Sequence, residues 1–167
     1  QGTEKLTELA QSGIQVRVLT NSYKANDVPV VHAFYSKYRQ ELLKNNVQLY
    51  EFLHKPEQKN LYENTEEISK KAKVKLRGLS RSSLHAKLMT LDERQVFIGS
   101  FNFDPRSSYL NSEIGVLLDS PKLARGIHYT MDSNLSKYAY KLVLDSQQQI
   151  NWQLKKADGS IETLRKE

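Results

Sequence analysis

The first third of the chain alternates between helical and strand spacing of its hydrophobic residues. Apolar positions before Gly13 fall on one helical face and predict a short helix that ends at this glycine. Residues 14–19 place apolar side chains at every second position, which is typical of a core strand. Residues 31–42 return to helical spacing, and residues 47–53 predict a second strand. Because a helix between two strands is typical of a parallel crossover, the pattern predicts an α/β fold with a mixed β-sheet flanked by helices.

Shorter apolar runs in the second half of the chain predict antiparallel pairs. Strands are predicted at 84–91 and 95–99, and the tight turn between them indicates a hairpin. A strand at 112–118 precedes Pro121, which suits the first turn of a helix that reaches about Ser133. The remaining predicted elements are strands at 138–144 and 150–154 and a hairpin turn at Asp158–Gly159.

Composition limits the class of protein. The 167 residues suffice for one compact domain, so we expect a single domain over residues 1–167. Nine Tyr, five Phe and one Trp are too many aromatic residues for a disordered tail, and the chain has no Cys for disulfides or thiolate sites. No apolar run approaches the roughly 18 residues that a membrane-spanning helix needs. Any membrane contact is therefore expected to be peripheral.

The net charge of +6 is concentrated in one segment. Residues 54–81 hold eight basic and four acidic residues, and their weak periodicity indicates an extended connection with a short helix near 66–72. One interpretation is contact with a polyanion such as phospholipid headgroups or nucleic acid. The other is a solvated lysine-rich connection. The residues proposed to contact a membrane are Lys70, Lys71, Lys73 and Lys75.

Four polar residues are predicted to converge on one spot. His85 and Lys87 lie two apart on a predicted strand, so their side chains leave the same face of the sheet. Ser100 and Asn102 are also two apart, at the end of the other hairpin strand. An imidazole, an ammonium, a hydroxyl and an amide together suit a phosphodiester, which needs a nucleophile or acid, a cation and neutral donors. Gly99 is expected to let a substrate approach the backbone closely.

The spacing of these residues resembles the HxKx4Dx6GSxN signature of the phospholipase D superfamily. The matching positions are His85, Lys87, Asp92, Gly99, Ser100 and Asn102. The segments 20–22, 26–32 and 49–51 and the tail around Trp152 extend the resemblance to the C-terminal half of bacterial cardiolipin synthases of the C type. The resemblance therefore implies a phospholipase D-like half-domain with one motif.

The family mechanism implies a role for each residue of the motif. Two motifs face each other, one His attacks phosphorus to form a phosphohistidine, and the other protonates the leaving alkoxide. His85 resembles the general acid of the second motif, although either role is open in a symmetric dimer. Lys87 and Asn102 are expected to bind the non-bridging phosphate oxygens, with Ser100 in support. Glu113 is expected to accept a hydrogen bond from the far nitrogen of His85.

Other residues have structural interpretations. Asp92 and Gly99 are expected to be structural, because Asp92 lies in the hairpin turn and points away from the cleft. Arg106 is expected either to steady the motif loop or to touch phosphate. His32 is expected either to border the cleft or to lie on a helix surface. Two further histidines, His54 and His128, are expected at the surface and Trp152 in the core.

The resemblance also predicts partners. The chain opens after the expected first strand of the half-domain, so we expect the second motif to come from a missing N-terminal half or from a dimer partner. No metal or cofactor is expected, because Lys87 and the neutral donors take over charge neutralisation.

Three functions remain open on the sequence. The first is a phosphatidyltransferase of the cardiolipin synthase type, which moves a phosphatidyl group from a donor phospholipid to phosphatidylglycerol at the cytoplasmic face of the bacterial inner membrane. The second is a phosphodiesterase or endonuclease of the same superfamily, and the third is a non-catalytic module that binds anionic membranes. The wider resemblance favours lipid over nucleic acid as the partner.

Overall fold

The computed structural model describes residues 2–23, 29–53, 87–102 and 110–165. The helices of this part of the chain are α1 (Gly2–Gln11), α2 (Pro29–Ser36), α3 (Arg39–Lys44) and α4 (Pro121–Tyr138). The strands are β1 (Arg17–Asn21), β2 (Gln48–Phe52), β3 (Lys87–Leu91), β4 (Gln95–Gly99), β5 (Gly115–Asp119), β6 (Ala139–Leu144), β7 (Ile150–Lys155) and β8 (Ile161–Leu164).

The described strands form two sheets. A five-stranded sheet has the order β1-β2-β6-β7-β8, and a three-stranded antiparallel sheet has the order β3-β4-β5. β1 and β2 are parallel, with Arg17 opposite Gln48, whereas the other neighbours of the larger sheet are antiparallel. The predicted parallel crossover, the hairpin and the α/β class with a mixed sheet are confirmed.

The main core lies on one face of the five-stranded sheet. Leu49 on β2 and Leu142 on β6 are fully or almost fully buried, together with Trp152 on β7. Ala10 of α1 and Leu42 of α3 complete this cluster, so the two helices cover the face. Full burial of a leucine side chain stabilises a fold by about 1.5–3 kcal/mol. The prediction that Trp152 belongs to the core is confirmed.

Helix α4 contacts strands of both sheets. It begins at Pro121, and the hydroxyl of Ser120 accepts a hydrogen bond from the Leu123 N–H at 3.4 Å. Its Ala124 and the β4 residue Val96 have no exposed surface. The helix therefore fixes the three-stranded sheet relative to the larger one.

Two helix predictions are wrong. The helix predicted over residues 31–42 is two helices, α2 and α3. Between them the Tyr38 N–H donates to the carbonyl of Tyr35, three residues back, at 2.9 Å, whereas an α-helical bond would reach four residues back. The predicted end at Ser133 is also wrong, because α4 continues to Tyr138. Asn134 bonds the Thr130 carbonyl at 2.9 Å one turn back, so this polar side chain is accommodated inside the helix.

Two strand starts are also wrong. β1 begins at Arg17 rather than at residue 14, because its ladder with β2 starts there, whereas the Ile14 N–H bonds the Leu9 carbonyl at the end of α1. β5 begins at Gly115, opposite Gly99, rather than at residue 112. Glu113 therefore lies in the loop before the strand.

Several predictions lie outside the described residues. They concern the segment 54–81 with its short helix, His54, the start of the 84–91 strand, His85, Lys70, Lys71, Lys73, Lys75 and Arg106. Among the helices that the structure describes, none is both long and apolar enough to span a membrane.

Candidate active site

One end of the three-stranded sheet brings part of the motif together. Lys87 opens β3 and is paired with Gly99, the last residue of β4. Gly99 is paired in turn with Gly115, the first residue of β5. Ser100 and Asn102 follow directly after β4. The strand ends therefore place the Lys87 side chain beside a loop that carries a hydroxyl and an amide.

The two glycines accommodate the ring of Phe97. A Cβ atom on Gly115 would collide with the Cε2 and Cζ atoms of Phe97, and one on Gly99 would lie 2.9 Å from its Cζ and 2.7 Å from the Ile114 carbonyl oxygen. The prediction that Gly99 lets a substrate approach the backbone stays a prediction. Protein atoms occupy the space that a side chain would take.

Ser100 is held in place by the loop before β5. Its backbone N–H donates to the Ile114 carbonyl at 2.9 Å, and its hydroxyl accepts from the Ile114 N–H at 3.1 Å. The hydroxyl in turn donates to Oε2 of Glu113. The Asn111 amide donates to Oε1 of the same carboxylate at 3.3 Å. The orientation of the Ser100 hydroxyl is therefore set by one donor and one acceptor.

These residues line an open cleft of about 740 Å³. Its walls are formed by Lys87, Gly99, Ser100, Asn102, Leu110, Asn111, Ser112 and Glu113. An ammonium, a hydroxyl and amide groups are the donors that bind phosphate oxygens, and the carboxylate can orient a neighbouring donor. The arrangement is suited to holding an anion beside a positioned proton acceptor.

The remaining motif residues lie elsewhere. Asp92 is in the turn between β3 and β4, at the end of the hairpin opposite Lys87, about 16 Å away along the strand. Asp92 and its neighbour Glu93 have φ values of 50° and 51°, a backbone conformation that suits the turn. The expected bond between Glu113 and His85 stays a prediction, because His85 lies outside the described residues.

A buried polar cluster was missed by the sequence interpretation. Glu51 on β2 has no exposed surface, and its Oε1 lies 2.7 Å from Nε of Arg39. The indole N–H of Trp152 donates to Glu51 Oε2 at 2.9 Å. Burial, followed by the nearby Glu51 charge, raises the pKa of the Tyr35 hydroxyl. One signal was available, because strand alternation puts Glu51 on the same face as the core residue Leu49.

Two histidines differ from their predicted environments. His32 is buried, 5% exposed, and its Nε2 lies 2.8 Å from Nη2 of Arg39, so it neither lines the cleft nor lies on the surface. His128 is half-buried on α4 and is hydrogen-bonded on both ring nitrogens. The surface interpretation of these two residues is wrong.

Within residues 2–23, 29–53, 87–102 and 110–165, no group of three or more His, Asp or Glu side chains is arranged to hold a metal ion.

The chain is similar to proteins of one family. A family model described as "Cardiolipin synthase, PLD-like domain" matches residues 2–135. The chain is 40% identical over 151 residues to cardiolipin synthase C of Escherichia coli K12, a match that covers 90% of this chain and 30% of that protein. It is 32% identical over 132 residues to an uncharacterized protein of Helicobacter pylori J99, covering 79% of this chain and 24% of that protein.

The fold has a solved counterpart. A phospholipase D family member, Nuc from Salmonella typhimurium, superposes with a TM-score of 0.55 and 16% sequence identity, over 84% of this chain and 72% of that chain. This likeness establishes the fold. The chain spans less than a third of the length of the two curated relatives named above.

Proposed function

Because the chain belongs to the cardiolipin synthase, PLD-like domain family, we propose that it supplies one catalytic half of a phosphatidyltransferase. The observation that carries this proposal is the cleft in which Lys87, Ser100 and Asn102 meet, three positions of the HxKx4Dx6GSxN pattern. The substrate class is inferred from the 40% identity to a cardiolipin synthase. The transferred group is a phosphatidyl unit and the acceptor is the glycerol hydroxyl of phosphatidylglycerol.

The proposed reaction has two displacements at one phosphorus atom. In the first, a nitrogen of one motif histidine attacks phosphorus, a P–N bond forms, and the P–O bond to the leaving alcohol breaks. The histidine of the other motif donates its proton to the leaving oxygen. In the second, the acceptor hydroxyl gives its proton to that second histidine and attacks phosphorus, and the P–N bond breaks. His85 supplies one of these two histidines.

The cleft residues stabilise charge in this scheme. The Lys87 ammonium and the Asn102 amide bind the non-bridging oxygens, whose negative charge grows as the nucleophile attacks. The Ser100 hydroxyl supports the loop that carries Asn102, because it connects the Glu113 carboxylate to the Ile114 N–H. No metal or cofactor is needed for this neutralisation.

Glu113 is proposed as a positioning residue. Its carboxylate already accepts hydrogen bonds from Ser100 and Asn111. A further bond to His85 would fix the tautomer of the imidazole and stabilise its protonated form. Arg106 is proposed to steady the same loop or to touch phosphate.

The scheme needs two histidines, and this chain carries one copy of the motif. We propose that the second motif comes from the rest of a longer protein or from another copy of this chain, consistent with the 30% coverage of the Escherichia coli relative. Membrane association is proposed to be peripheral, through Lys70, Lys71, Lys73 and Lys75 and the headgroups of anionic phospholipids.

The test substitutes His85 in the assembly that contains both motifs. His85→Ala should lower the turnover of phosphatidylglycerol in vesicles by at least the 10²- to 10⁴-fold that a positioned acid or base contributes. His54→Ala, a histidine outside the motif, serves as the matched control. Activity of His85→Ala within about threefold of the wild type would refute the assignment, since loss of an acid or base costs far more.

Product identity separates the alternatives. A phosphatidyltransferase yields a product with two phosphatidyl groups, whereas a hydrolase yields phosphatidic acid and free alcohol. Cleavage of DNA with no lipid product would move the assignment to an endonuclease of the same superfamily.

A further inference from the structure

His128 connects elements that are far apart in the sequence. It lies on α4, and its Nδ1 is 3.1 Å from Nη2 of Arg17 on β1. Its Nε2 is 2.8 Å from the hydroxyl of Thr90 on β3. Arg17 also forms an ion pair with Asp132, one turn further along α4. One imidazole therefore joins the larger sheet to the strand that begins with Lys87.

The partners of the ring fix its protonation state. A guanidinium can only donate hydrogen bonds, so Nδ1 of His128 must be the acceptor and carries no proton. The proton of the neutral ring is then on Nε2, which donates to the Thr90 hydroxyl. An imidazolium has no lone pair for Arg17 and would place a second positive charge against the guanidinium. The bridge therefore requires the neutral Nε2–H form.

The bridge bears on the cleft through β3. Among the strands that the structure describes, this one is at one side of the three-stranded sheet and is paired only with β4. Thr90 lies on the face toward α4, and Lys87, three residues earlier, is on the opposite face. Anchoring Thr90 to His128 thus limits how far the strand can shift or rotate. A displacement of about 1 Å at a catalytic group can cost about 10²-fold in rate.

We propose that His128 is a positioning residue, whose neutral imidazole ties the Lys87 strand to β1 and whose protonation releases it. The consequence for turnover rests on the proposed function, whereas the bridge and its release do not. Loss of the neutral ring would therefore loosen the cleft through β3 and not through the catalytic histidines.

The titratable groups near the imidazole come from several elements. Arg17 faces Nδ1 directly, whereas the carboxylate of Asp132 is engaged with that same guanidinium. Tyr50 on β2, Lys141 on β6 and Lys155 on β7 share a cleft with Arg17 and Asp132. The strands packed against α4 also carry Lys87 on β3 and Tyr140 on β6, and α4 itself carries Lys122, Arg125, Tyr129, Lys137 and Tyr138. Apart from Asp132, none of these groups favours an imidazolium.

The first test uses NMR of this chain with ¹⁵N-labelled histidine. At about pH 8 the Nδ1 resonance of His128 should be that of an unprotonated nitrogen and Nε2 that of a protonated one. As the pH is lowered, the amides of Arg17, Thr90 and Lys87 should shift together with the ring resonances of His128. In His128→Gln the shift at Thr90 should vanish. A protonated Nδ1, or amide shifts unchanged in His128→Gln, would overturn the proposal.

The second test removes the Thr90 hydroxyl. Thr90→Val should move the amide resonances of Lys87, Gly99 and Ser100, and Thr90→Ser should restore them. Thr163→Val, at an exposed position of β8, is the matched control. In the assembly with both motifs, Thr90→Val should lower kcat about tenfold and change KM much less, because the negative charge that Lys87 stabilises grows in the transition state.

The outcomes separate the two proposals. If Thr90→Val moves the amide resonances but the wild-type assembly shows no turnover, the proposed function is refuted and the bridge is supported. If the assembly turns over substrate and Thr90→Val changes neither kcat nor the amide resonances, the bridge is refuted. If Thr90→Val fails to fold, the wild-type titration and Thr90→Ser still decide the case.

Discussion

The buried ion pair between Arg39 and Glu51 makes a sharp prediction for stability. Their side chains are 7% and 0% exposed, with Nε and Oε1 2.7 Å apart. The Arg39 guanidinium also lies 5.1 Å from the ring centre of Tyr35 and 5.4 Å from that of Trp152. Arg39→Met replaces the guanidinium side chain by an apolar one of similar length. The Glu51 carboxylate is then buried without its cation. Removing one partner of a buried pair costs about 3–5 kcal/mol.

Urea unfolding of the chain measures this cost. With an m-value of about 2 kcal/mol/M, a loss of about 4 kcal/mol moves the midpoint down by about 2 M. Adding Glu51→Gln to Arg39→Met should recover much of the loss, because the amide is neutral and its oxygen can still accept the Trp152 N–H. Arg94→Met is the control, since its ion pair with Asp119 is exposed and should leave the midpoint almost unchanged.

Two results would refute the reasoning about this pair. One is a midpoint for Arg39→Met that equals that of Arg94→Met. The other is a double variant no more stable than Arg39→Met alone, because the penalty would then not come from the uncompensated charge of Glu51.

Three further predictions concern the sheet, a turn and the membrane. Gly115→Ala should cost about 1–3 kcal/mol in urea unfolding, because the new methyl group collides with the Phe97 ring, and a Phe97→Leu background should relieve the loss. The backbone N–H of Gln149, with smaller contributions from neighbouring donors, lowers the pKa of Asp145, so its stabilisation is present at neutral pH and is lost as pH falls through the lowered value. Asp145→Asn should therefore be less stable than the wild type at about pH 7, and the difference should shrink as the pH falls through the lowered pKa. Substituting four lysines by Gln should weaken sedimentation with anionic vesicles by about 1 kcal/mol per residue at about 0.01 M salt and by little at about 1 M, and equal binding at low salt would remove the membrane role. The lysines are Lys70, Lys71, Lys73 and Lys75. The matched control variant has Gln in place of Lys37, Lys44, Lys122 and Lys137.

Local chemistry accounts for the elements that the sequence predicted well. The hairpin of β3 and β4 follows from two alternating runs around Asp92–Arg94, and all of that information lies within a few residues. Gly13 and Gly159 were predicted to end a helix and to form a turn, and their φ values of 90° and 85° suit the left-handed conformation. These features need no knowledge of distant contacts.

Contacts between distant segments account for what was missed. Arg39 and Glu51 were not assigned to the interior, because charged residues are rarely buried unless they are paired, and the pairing depends on how α3 meets β2. His128 meets Arg17 and Thr90 across 111 and 38 residues of sequence. No short-range pattern predicts such contacts.

The candidate site lies between these two cases. The spacing of the motif correctly led to a common location for Lys87, Ser100 and Asn102, because strand alternation and the hairpin determine it. The bond between Ser100 and Glu113 spans 13 residues and depends on the loop before β5, so spacing did not predict it. The catalytic roles of these residues stay predictions.

The need for two motifs is the central claim, and the rate per chain on dilution tests it most directly. The isolated chain should be inactive, or active only as a dimer whose rate per chain falls as dilution separates the copies. Adding a protein that supplies the second motif, in excess, should restore the rate at every dilution. A rate per chain that stays constant below the dissociation of any dimer would show that one motif suffices, and the proposed mechanism would be wrong.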